Sequence, residues 1–177
     1  MKTLVIYSSQ TGFTERYAGW IAEEVTADRI TIKEAKKKPD SYYSSYDAIV
    51  YGGWSMGGKL VNLDWFLEKA TQWKDKKLAV YGVGATPEDA PEIKEFIDAI
   101  LDEEHRKNMQ AFYCPGGLNY AKMNIFCRVM MKMFAKSLSK KEGLSEYENQ
   151  KARVLLTSFD ISDRKFITPI VAYLNIE

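Results

Sequence analysis

The chain has 177 residues, 46% hydrophobic and 28% charged, with a formal net charge of +1. That length and balance fit one domain, residues 1–177, with a sizeable core, and the near-zero charge excludes a bulk field that attracts nucleic acid. Two cysteines and one histidine exclude the usual Cys/His metal cluster, argue against a disulfide scaffold and remove most histidine-based catalysis.

Thr3 to Tyr7 is a short, β-rich apolar run that stops at Ser8-Ser9-Gln10-Thr11-Gly12 and is too short for a secretory leader. A helix pattern follows from Phe13 to Thr26, with Tyr17, Ile21, Ala22 and Val25 on one face. Arg29 to Ile32 reads as a weaker second strand, and Lys36-Lys37-Lys38-Pro39 as an exposed loop. Asp47 to Tyr51 is a third strand, ended by Gly52-Gly53. Asn62 is placed to cap a helix running to Gln72, with Leu63, Phe66, Leu67 and Ala70 inward. Leu78 to Val83 is the fourth strand, ending at Gly84; Thr86-Pro87-Glu88-Asp89 then opens a helix to Glu104 with a cap, a proline and first-turn acids. His105 falls in a charged run and reads as a solvated surface residue. Met109 to Cys114 is the fifth strand, ended by Pro115-Gly116-Gly117, and two or three helices complete the chain, the last near Arg164 to Leu174. With no run of roughly 18 apolar residues, no spanning helix is expected, and the chain reads as cytoplasmic with free thiols at Cys114 and Cys127.

Strands alternating with helices predict a parallel sheet covered on both faces. Ligands of such sheets bind beyond the carboxyl ends of the strands, so the loops after the first, third and fourth strands should converge. The first, Ser9-Gln10-Thr11-Gly12-Phe13-Thr14, opens a helix, whose unpaired N–H groups and positive dipole end favour an anion. Three hydroxyls add donors, Gly12 permits close approach, and the absence of Lys and Arg suits one terminal phosphate held by neutral donors. An ordinary helix cap uses the same residues.

Here the sequence resembles the flavodoxin family, whose phosphate loop reads Ser/Thr-x-Thr-Gly-x-Thr directly after the first strand; Ser9 to Thr14 fits throughout. The resemblance implies a three-layer α/β sandwich with a five-stranded parallel sheet in the order 2-1-3-4-5, an extra helical segment after the fifth strand, and FMN held by its phosphate in the first loop. It implies that Gly53-Trp54-Ser55-Met56-Gly57 covers one flavin face, Trp54 stacking on the ring and the glycines letting a peptide turn a carbonyl toward flavin N5. The alternative for Trp54 is a core or surface aromatic beside a turn. The third loop, Gly84-Ala85-Thr86, lacks the second stacking aromatic that many flavodoxins carry. Either Tyr120, after Gly117, covers that face or it is open to a quinone or other substrate. No catalytic side chain is required, because the flavin carries the chemistry.

Charge is segregated along the chain. Eight acids and one base fall between Glu88 and Glu104, whereas six Lys/Arg and no acid fall between Asn119 and Lys141. In residues 120–141, Met123, Phe126, Cys127, Met130, Met131, Phe134 and Leu138 line one helix side, opposite Lys122, Arg128, Lys132, Lys136 and Lys140. Such a segment reads as a redox-partner surface or a peripheral membrane contact, or as a helix packing its apolar side on the domain with solvated lysines. Together with Phe159-Asp160-Ile161-Ser162 and the C-terminal run, it resembles the flavodoxin-domain branch related to menaquinone-dependent protoporphyrinogen oxidase. The expected function is electron transfer between partners. Its alternatives are oxidation of a porphyrinogen or reduction of a quinone, and a flavin-free binding module on the same fold.

Overall fold

The computed structural model describes residues 1–139, 143 and 145–176. Its strands and helices run β1 (Thr3–Tyr7), α1 (Phe13–Val25), β2 (Asp28–Thr31), α2 (Ile32–Ala35), α3 (Asp40–Tyr43), β3 (Ala48–Met56), β4 (Lys59–Leu60), α4 (Leu63–Ala70), β5 (Lys77–Gly84), α5 (Glu92–Ile100), β6 (Met109–Pro115), β7 (Gly117–Leu118), α6 (Ile125–Ser139), α7 (Glu146–Val154), β8 (Phe159–Asp160) and α8 (Thr168–Asn175). Five strands form a parallel sheet in the order β2-β1-β3-β5-β6, the expected 2-1-3-4-5 with one short strand, β4, interpolated in the numbering. The register sets Val5 beside Val50, Val50 beside Ala79 and Val80 beside Ala111.

Alternation along the strands splits the core into two layers. Leu4, Ile6, Ile49, Tyr51, Leu78 and Val80 face Phe66 and Ala70 of α4, Trp73, and Ile100 of α5. Val5, Val50, Ala79, Tyr81 and Cys114 face Tyr17, Ala18 and Ile21 of α1 and Ile170 and Leu174 of α8. Helices on both faces explain why these strands are apolar throughout. A satellite cluster of Leu118, Met123, Ala135 and Leu155 joins α6 and α7 to the carboxyl end of the sheet.

Several boundaries differ from expectation. β3 does not stop at Gly52-Gly53 but continues to Met56 and turns back at Gly57-Gly58, which have φ of 58° and 78°. Two consecutive positive φ values define the tight hairpin turn that glycine pairs favour, and β4 pairs Met56 with Lys59 and Ser55 with Leu60. The helix after β5 begins at Glu92 and ends at Ile100, because Thr86-Pro87-Glu88-Asp89 is used by a turn and Pro91 stands ahead of the first helical residue. The second strand ends at Thr31, whose hydroxyl and Glu34 form a capping box for α2. Asn62 occupies the cap position of α4 but makes no capping bond; its amide instead donates to Ser8 Oγ at 3.3 Å. His105 is half-buried rather than free in solvent, its Nδ1 2.8 Å from Asp102 Oδ1.

Candidate functional site

The loops after β1, β3, β5 and β6 meet at the carboxyl end of the sheet. Ser8 N–H donates to Gly52 O at 2.8 Å, fastening the first loop to β3. Gly116 N–H donates to Gly84 O at 2.7 Å, fastening the segment after β6 to the third loop. A Cβ on Gly116 would stand 2.7 Å from Val83 and 3.2 Å from the Cβ of Phe13, so glycine is required where first and third loops close on one another.

In the first loop Gly12 has φ of 100°, a conformation that favours glycine, and its N–H donates to Ser9 Oγ at 3.2 Å. That bond leaves the Ser9 hydroxyl proton for another acceptor. Phe13, Thr14 and Glu15 form the first turn of the 13-residue α1, so their N–H groups have no acceptor inside the helix and stand at its positive end. Thr14 is 1% exposed, and the fully buried Tyr81 donates to its carbonyl at 3.3 Å. Thr11 and Gln10 are half-buried at the rim, Gln10 Nε2 donating to Cys127 Sγ at 3.5 Å.

The loop itself lacks a cation, but the fold brings one. A Cβ placed on Gly12 would lie 3.8 Å from Lys122 Nζ. Lys122, read in the sequence as part of the partner-facing stripe, thus hangs over the first loop. The sequence offered no signal for this, because 109 residues of chain separate Lys122 from Gly12.

The second loop is a hairpin, not a flexible loop. Trp54 pairs with Val83 in the β3–β5 ladder, so alternation sets it on the same sheet face as Val50 and α1. It is half-buried, as is Ser55, whereas Met56 and Gly57 are exposed at the hairpin tip. The glycines divide into two kinds. A Cβ on Gly52 would overlap the Tyr81 ring, and one on Gly53 would come within 3.2 Å of Tyr51 and 3.3 Å of Leu60. These two are demanded by packing, and backbone freedom is confined to Gly57 and Gly58, which meet nothing within 4 Å.

The third loop is held by Tyr113, whose hydroxyl donates to Thr86 O at 2.7 Å and accepts from Thr86 N–H at 3.2 Å. Burial pushes that phenol well up from its ordinary value, so it stays a donor. Gly84, Ala85 and Thr86 remain partly open. Two further residues of the expected site have structural partners of their own. A Cβ on Gly117 would overlap Phe159 O, so the β7–β8 pairing of Gly117 with Asp160 requires glycine there. Tyr120 is drawn into the α6–α7 cluster, its hydroxyl donating to Leu155 O at 2.6 Å and Lys132 Nζ lying 5.7 Å from its ring centre.

The basic stripe is unequal. Lys132 and Lys136 are exposed on α6, whereas Arg128 is half-buried and donates to Met123 O at 3.2 Å, serving the turn before the helix. Lys140 and Lys141 lie outside the described residues. The expected apolar side is split as well. Cys127, Met131, Ala135 and Leu138 face the domain, but Phe126, Met130 and Phe134 stand in solvent.

A groove of about 740 Å³ begins at Thr11, Gly12 and Lys122 and runs along the outer side of α1, between Arg16, Trp20 and Arg29 and the β7–β8 strands. Arg16 bridges it to Asp160 at 2.6 Å. The sequence did not mark Arg16, and it marked Asp160 only as part of the C-terminal run. The groove touches the converging loops at the first loop and at residues 118–122 after β6, and does not include Trp54, Ala85 or Thr86. Cys114 is fully buried, and desolvation pushes its thiol far above its ordinary value, which removes it as a nucleophile. Among the described residues no group of acids, cysteines and histidine is placed to hold a metal ion, and no helix is long and apolar enough to cross a membrane.

A doubly wound parallel sheet with a helix N-terminus, hydroxyls and a lysine gathered at its carboxyl end defines an α/β protein of the ligand-binding, switch-point type. The chain belongs to the flavodoxin-domain family, whose model, described as "Flavodoxin domain", matches residues 4–145. No curated protein matches it. Similar solved structures include the two-electron reduced flavodoxin of Megasphaera elsdenii in solution, at 21% identity over 63% of this chain and 82% of that one, TM-score 0.48. Oxidised flavodoxin 2 of Bacillus cereus is 18% identical over 88% and 97% of the two chains, TM-score 0.43. A flavoprotein of Lactobacillus acidophilus in complex with FMN is 17% identical over 64% and 91%, TM-score 0.44.

Proposed function

We propose that this protein is a single cytoplasmic flavodoxin-like domain that binds FMN and passes electrons between redox partners. The observation that carries the reading is the first loop. There an αL glycine, the first-turn N–H groups of α1 and the hydroxyls of Ser9 and Thr11 lie on one loop, with the Lys122 ammonium close to Gly12. That donor set suits a terminal phosphate; in this reading Trp54 and residues 84–86 flank the attached ring system. FMN supplies one- and two-electron chemistry when bound. The protein's part is to hold the phosphate, to stack Trp54 on one ring face and to present backbone groups to the ring edge. Gly57 and Gly58 at the hairpin tip supply the peptides with backbone freedom there.

A second reading, an FMN-dependent oxidoreductase of the menaquinone-dependent protoporphyrinogen oxidase type, is favoured by one observation. Ala85 of the third loop packs against the α6 cluster and brings no aromatic of its own to the second ring face, which in this reading would be the side that a quinone or porphyrinogen approaches. An absorption spectrum of the purified protein, followed by titration of apo-protein with FMN, riboflavin and FAD, tests the first reading. FMN should bind at micromolar affinity or tighter and in preference to both others. Riboflavin binding as well as FMN would overturn the phosphate-loop assignment. Turnover with a menaquinone analogue and protoporphyrinogen separates carrier from enzyme.

A further inference from the structure

The most exposed apolar residues of the chain are concentrated on α6. Ile125 is 79% exposed, Phe126 67%, Met133 65% and Phe134 55%, and Val129 and Met130 are about half exposed. At 3.6 residues per turn, Val129, Met133, Phe126, Met130 and Phe134 cover about 140° of the helix surface. Beyond Phe134 the arc continues into Cys127, Leu138, Met131 and Ala135, which are packed on the domain. Beyond Val129 it meets Lys136, Ile125 and Lys132, all exposed. The helix therefore carries two apolar faces side by side, one used by the fold and one left over, with a basic edge.

From this geometry we infer that α6 docks the protein on an anionic lipid bilayer, its free apolar face entering the headgroup boundary and Lys132 and Lys136 meeting lipid phosphates. Three features select a bilayer as the occupant. The exposed side chains form a ridge, and the groove beside α1 is lined by no residue of α6; a ridge suits a deformable apolar medium. Lysines bordering an apolar arc extend their stems along it and keep their charges in the headgroups. Finally, no acid occurs between Asn119 and Lys141, so a second copy laid on this face would oppose lysine to lysine, whereas an anionic surface complements the edge. Cys127, on the packed half of the same helix, accepts from Gln10, so α6 itself lies beside the first loop. The inference does not depend on the flavin reading.

The test is co-sedimentation of the full chain with vesicles of phosphatidylcholine alone or mixed with phosphatidylglycerol, at low and high salt. The unmodified protein should sediment with the mixed vesicles and much less with the neutral ones. Phe126→Ser with Met133→Ser should reduce partitioning by roughly tenfold or more, from the apolar area no longer inserted. Lys132→Gln with Lys136→Gln should reduce it roughly fivefold per lysine and flatten the salt dependence. Both variants alter solvent-facing side chains, and unchanged circular dichroism and melting temperature confirm that they fold. Failure to sediment with either vesicle overturns the inference, as does equal binding by all three proteins. A dimer in size-exclusion chromatography that Phe126→Ser with Met133→Ser converts to monomer also overturns it and assigns the face to a second copy.

Discussion

Replacing Lys122 by glutamine should separate the binding of FMN from that of riboflavin. The ammonium lies 3.8 Å from a Cβ position on Gly12, so a phosphate seated on the N-terminus of α1 would stand ~5 Å from it. For a solvent-facing pair with an effective dielectric constant of ~40 to 80, Coulomb's law gives about 0.8 to 1.7 kcal/mol per phosphate charge at that distance. Screening at physiological salt brings the loss toward about 1 kcal/mol, or roughly fivefold in Kd. Glutamine keeps much of the stem and its packing, so riboflavin, which lacks the phosphate, should bind Lys122→Gln as it binds the parent. The assay is quenching of flavin fluorescence on titrating apo-protein, repeated at low and high salt, where the gap between parent and variant should narrow. Equal loss for FMN and riboflavin would show that Lys122 shapes the loop rather than holding charge. An unchanged FMN affinity, or a gap insensitive to salt, would refute the electrostatic argument outright.

Trp54→Ala should cost about 1 kcal/mol of FMN affinity through lost stacking and alter the bound-flavin absorption bands; identical affinity and spectrum would mean the indole does not reach the ring. Gly117→Ala forces a methyl into Phe159 O at a φ of 150°. It should destabilise the fold by roughly 2 kcal/mol, several degrees in melting temperature, while the folded fraction binds FMN normally. An unchanged melting point with weakened FMN binding would return this residue to the ligand site. Asp160 is subject to a desolvation that raises its pKa, but hydrogen bonds from Ser162 and Arg16 and the Arg16 charge outweigh it and hold the carboxylate below its ordinary value. A lowered folded pKa contributes stability above the unfolded value of about 3.9 and loses it as pH falls through the folded one. Asp160→Asn should therefore melt lower than the parent by a constant margin from neutral pH down to about 5. That margin should shrink below about pH 4, and one that persists in acid would contradict the assignment.

Much of this architecture was legible in local pattern. Apolar runs at Thr3 to Tyr7, Leu78 to Val83 and Met109 to Cys114, each followed by a turn-forming loop and a helix, determine a parallel sheet, because a strand buried on both faces must be apolar at every position. The spacing of hydroxyls and glycine in Ser9 to Thr14 likewise marks a helix N-terminus suited to an anion, since the residues that build it are contiguous. Even the hairpin was written in Gly57-Gly58, a turn pair between short β-prone runs, though the preceding Gly52-Gly53 drew the strand end to itself. Only the tertiary structure decided what distant segments contribute. It set Lys122 over Gly12, tied Tyr120 to Leu155, assigned Gly117 to a strand pair and turned Arg128 inward. It also decided which half of α6 is core. A helix that is apolar over more than half its circumference carries no local mark of which part will be covered, because burial there depends on the contacts offered by Leu118, Leu155 and Ala85, and those are set by the packing of the whole chain.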